Sequence, residues 1–265
     1  MERALLPVAG FLIGIVASIA GVGGGIFIVP LLTIGYGFIP QQAVGTSLGS
    51  IIFTALAATY SYARQKRIFY RLGLLMAVMT VPGAYLGAYI TTIASPRLLG
   101  LVFGVFLFFM ALRMIFNELG RSADTTAAAA ALSRPLKSDA DYIGSFLTLT
   151  WVLGLGFLAG FGSGFLGIGG GVLAVPVLNF GLGMPIHYAT ATSMFMMIFT
   201  SLSGAAKHTL AQHLNWGYAL LLALGTIFGA QVGAGFSRKV SGRMLRRIFG
   251  VIMLIVSVEM VFKYL

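Results

Sequence analysis

The chain has 265 residues, 58% of them hydrophobic and only 9% charged, with a net charge of +11 and no cysteine. A soluble domain carries about a quarter charged residues, so this composition excludes one, and the lack of cysteine excludes disulfides, thiolate metal sites and cysteine nucleophiles. The basic residues fall between apolar segments, a pattern suited to cytoplasmic loops and anionic lipid headgroups and not to nucleic acid.

In chain order the apolar elements run over Pro7–Gly37, Gln41–Ala63, Leu72–Ile93 and Leu98–Phe116, then Leu153–Gly183, His187–Thr209, Trp216–Phe236 and Met244–Phe262. Runs of about 20 apolar residues cross a hydrocarbon core about 30 Å thick, so we expect a polytopic membrane protein with no second, soluble domain. The stretch after Pro7 is part of the fold and not a signal peptide, because it has a copy after Leu153. Residues 117–142 hold Arg121, Asp124, Arg134, Pro135, Lys137, Asp139 and Asp141 around an alanine run and read as an exposed linker.

The two groups of four elements are copies at a constant offset of 146 positions (167 − 21). That offset aligns Gly21-Val22-Gly23-Gly24-Gly25 with Gly167-Ile168-Gly169-Gly170-Gly171, Pro30 with Pro176, and Thr46-Ser47 with Thr192-Ser193. It also aligns Gly83 with Gly229 and Gly87 with Gly233. Duplicated units interrupted by glycine and proline at membrane depth are the mark of a secondary transporter. The expected domains are therefore membrane repeat 1 (residues 1–116), a cytoplasmic polar linker (117–142) and membrane repeat 2 (143–265).

The first element of each copy, at roughly 30 residues, would make a helix of about 45 Å, yet Gly disfavours a helix interior by about 1 kcal/mol and Pro by about 3 kcal/mol. Broken at the glycines, its limbs are about 24 and 20 Å long. A re-entrant hairpin fits these lengths. Arg64, Lys66, Arg67 and Arg71 crowd one junction of copy one, whereas Arg238, Lys239, Arg243, Arg246 and Arg247 crowd the next junction of copy two. Both crowds face the cytoplasm if the copies are inverted, which needs an odd number of crossings per copy. The expected fold class is thus all-α, with two inverted repeats, each a Gly-broken first element plus three transmembrane helices. A parallel arrangement of eight full spans is the alternative.

The backbone amides of Gly23, Gly24, Gly25, Gly169, Gly170 and Gly171 are the first site candidates. Exposed N–H groups at a helix start carry roughly half a positive charge and bind anions without a basic side chain. The same glycines also serve close helix approach. Thr46, Ser47, Thr192 and Ser193 offer hydroxyl donors at the start of the second element, or bonds back to their own helix. Gln41 and His187 are equivalent positions, as are Thr33 and Asn179, and their polar mismatch suits one asymmetric ligand. Lys207, His208 and His213 form a polar junction read as exposed or gating.

Apart from Glu118 and Glu259, no carboxylate falls in or beside an apolar element, which argues against a divalent-cation site. No metal and no cofactor is expected, no His-Glu-x-x-His occurs, and nothing points to the nucleophilic Ser-His pair that spacing alone leaves open. The partners expected are a small anionic substrate and membrane lipids.

The paired Gly-x-Gly-Gly-Gly with Pro30 or Pro176, and Ala-x-x-Thr-Ser at Ala43–Ser47 and Ala189–Ser193, resemble the TauE/SafE family of sulfite exporters over nearly the whole chain outside the linker. That resemblance implies export of sulfite, sulfoacetate or other organosulfonates across the cytoplasmic membrane, with the glycine runs and Thr-Ser pairs as the central site. A passive anion channel and a membrane enzyme acting on lipids or peptides are the competing classes. Proton coupling falls to His187, His208 or the substrate's own protonation, and uniport fits these residues equally.

Overall fold

Segments this apolar fold as helices because lipid offers no partner for backbone N–H and C=O groups, which must then bond within their own segment. The structure, a computed structural model, describes residues 5–116, 146–236 and 242–265; the expected linker at 117–142, with Arg238 and Lys239, lies outside the described residues. In the first copy the helices are α1 (Leu6–Ala20), α2 (Gly25–Pro30), α3 (Pro40–Arg64), α4 (Tyr70–Ile93) and α5 (Pro96–Phe116). The second copy follows with α6 (Phe146–Leu166), α7 (Gly171–Pro176), α8 (Ile186–Leu210), α9 (Trp216–Phe236) and α10 (Gly242–Tyr264). Among the described residues, the four helices α3, α4, α8 and α9 are long and apolar enough to cross a membrane.

The first element of each copy breaks at its glycines. Gly23 and Gly24 stand at φ +76° and +91°, and their counterparts Gly169 and Gly170 at +78° and +88°. Side chains rarely tolerate this left-handed region, so glycine is the residue that allows the turn. The chain then folds back: a β-carbon at Gly24 would lie 2.9 Å from the side chain of Ile13, and one at Gly162 would lie 2.9 Å from that of Leu173. Eleven residues of unbroken helix would separate each pair by about 16 Å.

The prolines act differently from expectation. Pro30 and Pro176 do not end α2 and α7, which continue as π-helical turns over Leu31–Gly35 and Val177–Gly181. A proline ring removes one helical donor and clashes with the carbonyl four residues earlier, and a wider turn relieves that clash.

The described chain divides into two compact units, and each draws on both copies. The larger contains Met1–Ile93 and Ser138–Arg238. Within it α1 packs along α9, and α6 packs along α4, so the first limb of each copy lies against the third long element of the other. Small residues make this possible. A β-carbon at Gly229 would collide with the carbonyl oxygen of Phe11, and one at Gly87 with that of Phe161. Helices in membranes associate through such close backbone approach. On α9 the inner face carries Ala219, Ala223, Thr226, Ala230 and Ala234, while Leu220, Leu224, Phe228 and Phe236 point outward. Small inside and large outside reverses the soluble pattern and suits a lipid surround.

The smaller unit pairs α5 with α10, where Gly100 meets the Tyr264 ring and Gly104 meets Val261. The Arg97 guanidinium donates to the Leu265 carbonyl, and Glu259 is exposed.

Candidate functional site

The two glycine turns, 146 positions apart in sequence, meet in the middle of the larger unit. A β-carbon on Gly25 would strike the backbone at Gly167 and Ile168, and one on Gly171 would strike Gly21. Gly23 and Gly169 share one pair of covers, Ile51 and Met197, which are themselves equivalent by the offset. The turns stay polar because the first amides of a helix have no intrahelical acceptor. In α2 the first helical bonds run from Phe27 and Ile28 to the Gly24 carbonyl, and in α7 from Leu173 and Ala174 to Gly170.

The hydroxyl pairs divide their work. Ser47 Oγ donates to the Gly167 carbonyl at 2.8 Å, and Ser193 Oγ donates to the Gly21 carbonyl at 3.1 Å. Each serine thus reaches from its own copy to the glycine turn of the other. The threonines face elsewhere: Thr46 Oγ1 accepts from the Asn215 amide and Thr192 Oγ1 from the Phe69 amide, both at 3.1 Å. Those amides lie just before α9 and α4, so each threonine pins the loop that enters a helix of the opposite copy. All four hydroxyl residues are fully buried. Reciprocal contacts, in which i meets j and j's counterpart meets i's counterpart, are the signature of a local two-fold relation.

Beside the turns lies a gap bordered by Thr80, Gly160, Gly169, Gly170, Ser193 and Thr200, packed too closely to admit water. Thr200, whose hydroxyl donates to the Gly169 carbonyl at 3.1 Å, was not singled out by sequence reasoning. Its counterpart Thr54 bonds Thr226 at 2.8 Å, and the hydroxyl at both positions under the offset is the signal that could have found them.

The other candidates lie apart. Gln41 and His187 occupy the first turns of α3 and α8, about 8 Å along the helix from the hydroxyl pairs. Thr33 bonds the Val29 carbonyl at 2.6 Å, and the Asn179 side-chain amide donates to the Met184 carbonyl at 2.7 Å, so both hydrogen bonds are local to their own copy.

The polar junction at the end of α8 differs from the exposed reading: His208 is fully buried. It is the counterpart of Tyr62, whose hydroxyl donates to the Ser18 carbonyl at 2.8 Å, tying α3 to α1. His208 makes no such tie; both its ring nitrogens are buried without a hydrogen-bond partner among the described residues. Its ring centre is 6.1 Å from that of half-buried His213, in the loop after α8, where burial lowers the pKa of His213. Lys207 stacks its ammonium 4.7 Å from the Tyr89 ring.

Residues 6–260 match the family model described as sulfite exporter TauE/SafE. The chain is 33% identical to the probable membrane transporter protein YunE of Bacillus subtilis over 99% of this chain and 98% of that one. It is 28% identical to a probable membrane transporter protein of Xylella fastidiosa over 96% and 93%, and 26% identical to one of Methanocaldococcus jannaschii over 91% and 89%. No solved structure matches the chain. With a family model over almost its entire length and a third of its residues shared with a full-length relative, this chain is a membrane transporter protein of the TauE/SafE sulfite exporter family.

Proposed function

We propose that the protein is a carrier that exports small sulfur-containing anions, such as sulfite or sulfoacetate, across the cytoplasmic membrane by alternating access. The observation that carries this reading is the reciprocal pair of serine bonds across the two glycine turns. Each hydroxyl is a donor that a neighbouring carbonyl now occupies and that an oxyanion would attract more strongly, since hydrogen bonds to ions are roughly twice as strong as neutral ones. Parting of the turns would expose the two hydroxyls together with the helix-start amides that have no intrahelical acceptor. Such convergent donors are what an anion needs in exchange for its hydration shell.

In this reading the two copies lie inverted in the bilayer, each with a re-entrant α1–α2 or α6–α7 hairpin, and rock about the turns. The fold-back at the glycines and the exchange of α1 and α6 between copies support it. The gap bordered by Thr80, Gly160, Gly169, Gly170, Ser193 and Thr200 is too narrow for water, which fits a carrier with an occluded centre.

The test is thermal unfolding of purified protein with and without sulfite or sulfoacetate. Ligand should raise the Tm of the parent, and Ser47→Ala with Ser193→Ala should remove most of that rise, because each lost bond to an ion is worth about 1.5–3 kcal/mol. An equal rise in the double variant would move the site elsewhere.

A further inference from the structure

Between Arg3 and Asn117, and again between Tyr142 and Val258, the chain has no aspartate or glutamate. The described part of the larger unit therefore contains no carboxylate, and its groups that titrate near neutrality are His187, His208 and His213. Of these, His208 stands out geometrically. It is fully buried with neither nitrogen bonded, 6.1 Å from a second imidazole whose Nδ1 is also buried and unbonded.

The ring also packs against the stretch of α3 that carries the proposed anion site. A β-carbon at Gly45 of α3 would sit 2.9 Å from His208 Cβ and 3.1 Å from Nδ1. The neighbouring Val44 covers Gly167, and two residues further Ser47 holds the Gly167 carbonyl. Anion site and imidazole thus lie on different faces of one turn of α3.

We propose that His208, backed by His213, is a proton-binding site that is filled together with the anion. The proposal rests on the carrier reading above. The groups facing His208 explain the coupling. On its own helix it has Lys207, and on the following loop His213. From α4 come Tyr85 and Tyr89, which hold the Lys207 ammonium over their rings. The ionisable groups of α3, namely Tyr60, Tyr62 and Arg64, lie about four turns beyond Gly45. None of these supplies a negative charge to an imidazolium. A charge buried without a counter-charge is strongly disfavoured, so the negative partner is the transported anion itself. Binding the anion draws a proton onto His208, and by linkage a proton on His208 tightens the anion. The anion then crosses with one proton, with one negative charge fewer on the complex.

The experiment is titration calorimetry of the purified full-length chain with sulfoacetate, whose sulfonate and carboxylate stay ionised across the histidine range. Parent affinity should rise as pH falls, by up to about tenfold per pH unit, the slope for uptake of one proton. His208→Gln should flatten that dependence to within about twofold. Repeating the parent titration in buffers of different ionisation enthalpy counts protons without any variant, and about one per anion is expected. A count of zero, or an unchanged slope in His208→Gln, overturns the proposal and leaves the carrier reading standing. If the parent binds none of sulfoacetate, sulfite and sulfate at any pH, both fall.

Discussion

At the glycine turns the contacts of the Thr-Ser pairs come as twins: Ser47 on Gly167 mirrors Ser193 on Gly21, and Thr46 on Asn215 mirrors Thr192 on Phe69. About four turns further along the same two helices the copies part. Tyr62 ties α3 to Ser18, while His208 in its place bonds nothing, and Arg67 gives way to His213. The loops there still follow one backbone path, since Lys66 and Gln212 share a left-handed φ of 53° and 57°. The difference teaches where each copy is constrained by the other. Where the copies touch across a two-fold relation, a change on one side strains both turns. Where that mirrored contact ends, side chains are free to diverge and to carry one-sided tasks.

The largest expected effect comes from breaking the twinned centre. Gly171→Ala would put a methyl into the Gly21 carbonyl and beside Met197, and Gly25→Ala would do the same at Gly167. Neither clash can be relieved by rotating a side chain, because the obstacle is backbone. Overpacking of this kind destabilises by about 3 kcal/mol. Thermal unfolding in detergent should register both variants as severe and similar. A mild loss in one alone would mean that the two turns are not bound to one another as the contacts indicate.

Next in size is the serine pair. Ser47→Ala and Ser193→Ala each remove one buried bond and leave a carbonyl unsatisfied, which should destabilise by about 1–2 kcal/mol apiece. Both bonds hold the same pair of turns, so the double variant should depart from additivity by at least about 0.5 kcal/mol in a double-mutant cycle. Strict additivity would separate the turns energetically, whatever their proximity.

Much of this was legible in the chain. Trp216–Phe236 is helical over its expected residues, and the offset of 146 located both turns because glycine at positive φ leaves a visible mark. The division of the Thr-Ser pairs was not legible. Adjacent residues on a helix point about 100° apart, and only the packing of α3 and α8 decides which one meets a turn and which caps a loop. The continuation past Pro30 was missed because a π-helical turn has no signature distinct from a break. The burial of His208 was hidden for a related reason: its neighbours Lys207 and Thr209 are polar, and the cover comes from Gly45, more than 160 positions away.

The smallest effect tests the unmatched ends through pH. Burial lowers the pKa of His213, so the native protein resists protonation there while the unfolded chain takes a proton near the ordinary histidine value of about 6.5. Above that value both states are neutral and the residue contributes nothing to pH dependence. As pH falls through it the unfolded state binds the extra proton first, so stability is lost with falling pH until the lower native pKa is reached. Because His213 is only partly buried, water screens the effect, and a Tm change of about 1 °C between neutral and mildly acidic buffer is expected. His213→Gln should make the profile shallower. Arg67→Gln, at the equivalent place in the first copy, should leave the slope as it is, since a guanidinium stays charged throughout. If both substitutions altered the slope alike, the acid sensitivity would not belong to the second copy, and the asymmetry between the two ends would be one of shape alone.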